Sequence, residues 1–264
     1  MRSKIPAIGL TMAMLVSGLF ILQIRAAEKE DSRNNKEKMK YESFLELVRE
    51  RRSIRQFKPD PIPDDYINKI VEAARWAPSG FNSQLWEFVV VRKPEVKNRI
   101  AEIITVAFGK MTQKTAPSGT TASPSPSISP TMGFAKAPVF ILLLGDTRVR
   151  KYGPPFMQDE HKWLTTYIPS LAISYQYMAL SAASLGLGSQ WVSSVNLPTV
   201  PEQIRKVIGI PEEMVFFDMF AVGYPEMNPS EKKMRPLKEM LHHDDCGVKD
   251  FRTEEQIKAF FGSK

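Results

Sequence analysis

Residues 51–88 read RRSIRQFKPDPIPDDYINKIVEAARWAPSGFNSQLWEF, and the fold turns on this stretch. Arg51, Arg52 and Arg55 bring three guanidinium groups together with the Ser53 hydroxyl. A guanidinium is a rigid fork of donors that matches a phosphate, each charge-assisted bond contributing roughly 1.5–3 kcal/mol. Arginines at a helix end also complement the macrodipole while staying in water, and this half alone fits either use. The second half separates them. Pro59, Pro61 and Pro63 force an extended connection. Asp64 reads as the N-cap of a helix to Arg75, with Ile67, Ile70, Val71 and Ala74 as its buried stripe. Ala77-Pro78-Ser79-Gly80-Phe81-Asn82-Ser83-Gln84-Leu85-Trp86 then has the composition of a turn that exposes backbone N–H groups and side-chain amides. A planar, hydrogen-bonding heterocycle needs such a turn. Phe88–Val91 follows as an apolar strand.

Together the two halves resemble the opening of the nitroreductase superfamily of flavin mononucleotide (FMN) enzymes. That opening is R-R-S-x-R, then A-P-S-x-x-N-x-Q-P-W and a strand; this chain has Leu85 where proline is usual. The resemblance runs from about Tyr41 to Phe261. It implies an α+β fold, layered α/β/α, with a central mixed but mainly antiparallel sheet flanked by helices. It also implies a homodimer with FMN at the subunit interface and NADH or NADPH as electron donor. The implied FMN contacts are Arg51, Arg52, Ser53 and Arg55, then Pro78, Ser79, Gly80 and Asn82 of the turn. Gln190, Trp191, Val192 and Ser193 lie along the isoalloxazine edge by the same resemblance, with backbone donors toward N5 and O4. Arg235, in Lys232-Lys233-Met234-Arg235-Pro236 after Gly223-Tyr224-Pro225, is the implied last phosphate ligand.

The implied activity is hydride transfer from NAD(P)H through flavin N5 to an electron-poor acceptor such as a nitroaromatic or quinone. Phe81, beside the flavin turn, is a substrate-contact candidate. So are Trp163 and Tyr167, in the segment that closes over the flavin in this family. No residue is required as a general acid or base, so none is named as strictly catalytic. Two alternatives stand beside this reading. One is a reductive dehalogenase resembling iodotyrosine deiodinase, for which Glu160, Lys162 and Tyr167 have the right residue types but no alignable spacing. The other is a non-catalytic, membrane-anchored flavin-binding protein.

Outward from the core stretch, Tyr41, Phe44, Leu45 and Val48 give one apolar face to a helix ending near Glu50. Ile5–Ile24 contains no charged residue, and about twenty helical residues span one bilayer core. A cleaved signal peptide and an uncleaved anchor both fit; the length of the run favours the anchor. Lys and Arg are more numerous after it than before it, which places the folded domain, residues 41–264, on the cytoplasmic side. Cleavage would instead make the protein exported. Residues 27–40 read as a charged linker.

A helix is expected near Pro94–Lys110, and 112–131, rich in Ser, Thr and Pro, reads as a disordered insertion. Val139–Leu144 suits a strand covered on both faces. Ser170–Leu187, nearly uncharged, suits a buried helix that Gly186 ends. Strands at Ser189–Val195 and Val215–Val222 and a helix at Pro201–Ile208 complete the domain. At 264 residues with 25% charged and 43% apolar residues, the chain supports a sizeable core. The net charge of +7 carries no aromatic-interleaved basic stripe, which argues against nucleic acid. One cysteine excludes an internal disulfide framework. His242-His243-Asp244-Asp245-Cys246 has metal-ligand residue types, but ligands adjacent on one short segment rarely converge without a second cluster elsewhere, so it reads as solvated charge.

Overall fold

The computed structural model describes residues 40–115, 133–244, 246–247 and 251–262. The Ile5–Ile24 segment, the linker before residue 40 and residues 116–131 of the insertion lie outside them. Among the described residues no helix is long and apolar enough to cross a membrane. The chain divides into two compact units, Met1–Met227 and Asn228–Lys264.

The first unit is built on one sheet of four strands, β1 (Trp86–Val91), β2 (Val139–Asp146), β3 (Gly188–Val192) and β4 (Met214–Gly223), in the order β1-β2-β4-β3. Every strand pairing is antiparallel. Among the described residues the single parallel contact is a bridge between Ser53 and Ser189. β2 explains the layering. Its apolar run has no polar face because both faces are covered. Phe140, Leu142 and Leu144 pack with α3 (Pro94–Thr115) and α6 (Val200–Ile208), through Ile100, Ile104 and Ile204. Val139, Ile141 and Leu143 pack with α2 (Asp64–Arg75) and α5 (Glu160–Ser184), through Ile70, Leu171 and Tyr175. A further helix, α1 (40–50), precedes the arginine segment, and the short α4 (Val149–Tyr152) follows β2. This is the α/β/α arrangement expected.

Several boundaries differ from expectation. α2 is capped by Pro63, so Asp64 sits inside its first turn and pairs with Arg92 at 2.9 Å. α3 continues to Thr115, making residues 112–115 helical rather than part of the insertion. α5 begins at Glu160, not Ser170, because the Asp159 side chain accepts from the Lys162 N–H at 2.9 Å and caps it. Pro169 lies inside that helix. The third strand ends at Val192 and turns into a 3₁₀ helix, Ser193–Asn196. Gly186 does end α5, at φ +72°.

The second unit carries the 3₁₀ turn Leu237–Glu239 and α7 (Glu254–Gly262). Within it, the Arg235 guanidinium donates to the Glu239 carbonyl at 2.7 Å, beside a cavity of about 680 Å³ that Lys238, His242 and Arg252 also line.

Candidate functional site

The arginine segment is stitched to the open end of the sheet. The Ile54 N–H donates to the Ser189 carbonyl at 2.8 Å, and the Lys58 N–H to the Tyr224 carbonyl at 2.9 Å. Ile54 and Phe57 point into the core at 5% and 2% exposure. Alternation along an extended chain therefore turns Ser53 and Arg55 outward, with Arg51 and Arg52 half-buried. Gly188 permits this approach: a Cβ there would lie 2.5 Å from Ile54 Cγ1. β3 is an edge strand, and its outer edge is met at Ser189 by Ser53. Among the described residues no strand pairs with the outer edge of 190–193. Three arginines thus stand next to an open backbone edge.

β3 sends Gln190 and Trp191 to opposite faces, as the period of two requires. The Gln190 Oε1 is buried and has no hydrogen-bond partner among the described residues. Trp191 stacks on Tyr175 of α5, with ring centroids 3.9 Å apart and planes 28° apart. Its indole N–H donates to Asp218 of β4 at 2.5 Å. Burial pushes the Asp218 carboxyl up to about 6, against the lowering effect of that N–H. Burial also raises Tyr175 well above an ordinary phenol. Val192 is buried in the core, and Ser193 is exposed at the start of the 3₁₀ turn.

The second group of predicted residues attaches elsewhere. The Gly80 N–H donates to Ser170 Oγ of α5 at 3.3 Å, and a Cβ on Gly80 would lie 2.0 Å from Thr166 Cγ2. Ser79 Oγ accepts from the Gln84 N–H at 3.0 Å, closing the turn, while Pro78 and Asn82 are exposed. Phe81, Asn82 and Gln84 hold φ of 57°, 52° and 45°. Left-handed backbone at three non-glycine positions in four costs of order 1–3 kcal/mol each and points to function. Phe81 is 62% exposed and meets Phe156 edge-on at 5.3 Å. It lines a cavity of about 520 Å³ with Ser83, Asp146, Arg148 and Tyr152. Ser83 Oγ is buried and unpartnered among the described residues. The Arg148 guanidinium beside Asp146 holds that carboxyl below its ordinary value.

Trp163 and Tyr167 differ from expectation. They are 5% and 6% exposed, with ring centroids 4.6 Å apart and planes tilted by 44°, and belong to the core that includes α2. Helical spacing from the capped start of α5 turns them inward, where the Tyr167 hydroxyl is buried without a hydrogen-bond partner among the described residues. Arg235 belongs to the second unit. Among the described residues no group of three His, Cys, Asp or Glu could hold a metal ion. Asp218 is the residue sequence reasoning missed. Its signal was a lone carboxylate inside the apolar run Val215-Phe216-Phe217-Asp218-Met219-Phe220.

A helix-covered antiparallel sheet with an arginine-led segment laced to its edge strand defines the class. The nitroreductase family model matches residues 48–224, and the chain belongs to that family. A Methanothermobacter thermautotrophicus protein described as an NADH dehydrogenase/NAD(P)H nitroreductase is 30% identical over 72% of this chain and 81% of its own. Iodotyrosine deiodinase 1 of Rattus norvegicus is 43% identical over 67 residues, 25% of this chain and 24% of that one. A solved iodotyrosine deiodinase bound to FMN and 3-iodo-L-tyrosine is 19% identical, covers 76% of this chain and 99% of its own, and superposes with a TM-score of 0.61.

Proposed function

We propose that this protein is an FMN-dependent oxidoreductase that takes hydride from NAD(P)H and reduces an electron-poor acceptor such as a nitroaromatic or quinone. The observation that carries it is the open outer edge of 190–193 beside Arg51, Arg52 and Arg55. The residues present suit a flavin nucleotide. Gln190 Oε1 is a buried acceptor that nothing among the described residues satisfies, and a heterocycle N–H would satisfy it. The arginines, with the Ser53 hydroxyl, bind the phosphate, and the edge of β3 offers backbone donors to the ring. When bound, FMN supplies the hydride chemistry. The chain's own work is to hold phosphate and ring, to keep one face open to a planar acceptor, and to present Phe81 toward that acceptor. The strained turn 78–84 adds N–H donors and amides.

Family membership supports a homodimer with the cofactor at the subunit interface. The turn and the arginine segment rest on different partners, α5 and β3, which suits a site completed by two subunits. Residues 5–24 anchor the chain in a membrane in this reading, with the folded domain cytoplasmic; fractionation and protease protection of the full chain test both points.

Reductive dehalogenation is the second reading, favoured by the stretch of 43% identity. Its zwitterion lid fares poorly: Glu160 pairs with Arg150 at 2.6 Å, and Tyr167 is buried. The decisive experiment is an absorbance spectrum of the purified full chain followed by anaerobic titration with NADH and NADPH. A flavin spectrum that bleaches, then recovers with a nitroaromatic or quinone, is expected. Colourless protein that cannot be reconstituted with FMN overturns the proposal, whereas turnover of 3-iodo-L-tyrosine alone favours the dehalogenase.

A further inference from the structure

Asp218 is the only carboxylate buried below a tenth exposure among the described residues, at 6%. The side-chain donors recorded on it are neutral: Trp191 Nε1 at 2.5 Å and, more distantly, Asn196 Nδ2 at 3.5 Å. A buried carboxylate bonded only to neutral groups is costly, and a polar or apolar residue of similar size would fold more readily. Its position is also specific. The ladder between β2 and β4 shifts between Leu143 and Leu144, which face Asp218 and Phe216 and leave Phe217 as the extra residue. Asp218 thereby stands opposite Leu143, on the α5 side of the sheet, where the Trp191 indole also lies.

Trp191 is held from two directions. Tyr175 lies under one face of the indole, and its hydroxyl donates to the carbonyls of Gln190 at 3.2 Å and Met219 at 3.4 Å. Asp218 takes the indole N–H at the edge. An indole that is 43% exposed would otherwise sample several rotamers. These contacts fix one, with Tyr175 already covering one face.

We propose that Asp218 is a positioning residue, which locks the Trp191 indole beside the open edge of β3 so that the indole flanks the flavin ring in one orientation. The proposal rests on the flavin reading above. It explains why an acid occupies a place where an apolar residue would be more stable. The β4 bulge at Phe217 lets Asp218 share the α5 face with Phe220 while Phe216 turns to the opposite core.

The test uses the full chain carrying Asp218→Leu, Asp218→Asn or Trp191→Phe, and the double variant Asp218→Leu/Trp191→Phe. FMN affinity is read by flavin fluorescence titration and stability by thermal unfolding. Asp218→Leu is expected to raise the FMN Kd about tenfold, the effect of losing one charge-assisted hydrogen bond. Its unfolding midpoint is expected at or above wild type, since a buried charge has gone. Asp218→Asn keeps an oxygen acceptor and recovers most of the affinity. Trp191→Phe loses as much as Asp218→Leu, and the double variant loses no more than either alone. A merely structural role would instead lower stability and affinity together. Multiplying losses in the double variant, or an Asn variant as weak as the Leu variant, overturn the proposal. If the wild type binds no FMN, the flavin reading fails. The lock is then read from Trp191 emission in the cofactor-free protein, with Trp191→Phe as blank: a red shift in the Leu but not the Asn variant sustains it, and no shift overturns it.

Discussion

Two kinds of side chain carry the argument at the residue scale, cations that face outward and one acid that faces inward. Arg51 stands half-buried at the end of α1, near enough for its charge to act on Tyr175. Arg51→Ala removes a phosphate donor and is expected to weaken FMN binding by about 10- to 100-fold, from roughly 1.5–3 kcal/mol per charge-assisted bond. Isothermal titration measures it, and unchanged affinity would remove Arg51 from the site. Asp218 makes a prediction of opposite character. Its folded value is about 6, above the ordinary unfolded value near 3.9. Folding therefore takes up a proton between these values. The contribution is fully present below about pH 4 and is lost as pH rises through about 6, a change of roughly 2–3 kcal/mol. Carboxylates held low by arginine, such as Asp146, run the other way, so the comparison must be between variants. Asp218→Asn is expected to match wild type in urea unfolding at pH 4.5 and to exceed it by about 2 kcal/mol at pH 7.5. Equal stability at both values would mean that burial does not raise this acid.

At the scale of elements, the sequence was legible where one pattern repeats and illegible where a single contact decides. β2 could be read because six apolar residues in a row admit only a strand covered on both faces, and its alternate side chains fill the two cores. The start of α5 could not, because one Asp159 side chain caps it and the polar turns that follow resemble a loop. The arginine segment and the turn were found by motif. Their attachment to β3 and to α5 was not, since pairing across 90 residues or more leaves no local trace. Gly188 shows how much such an attachment depends on one atom. Gly188→Ala would drive a methyl into Ile54, and is expected to destabilise the unit by about 1–3 kcal/mol while displacing the arginines. Ile54→Ala in the same chain relieves the clashes with Cγ1 and Cγ2 but not that with Cβ at 2.7 Å, so recovery should be partial. Chemical unfolding and FMN content of the two variants check this. A Gly188→Ala protein with full stability and full flavin would show that the segment is not held where the structure has it.

For the whole molecule, the open question is what covers α1. A helix with an apolar stripe normally buries it, yet Tyr41 and Phe44 are 58% and 56% exposed and Val48 is at 36%. Clustered exposed apolar residues mark interaction surfaces. Because α1 runs directly into Arg51, whatever covers the helix also steadies the arginine segment. A second copy of this chain is the occupant that the proposed homodimer supplies. Phe44→Asp places a charge in that contact and is expected to shift the protein from dimer to monomer in sedimentation velocity, with loss of most bound FMN. Its monomeric fold should survive, since Phe44 contributes little to either core. Circular dichroism would separate dissociation from unfolding. A variant that remains dimeric and yellow would place the interface elsewhere. A wild-type monomer that binds FMN fully would make the cofactor site the work of one subunit.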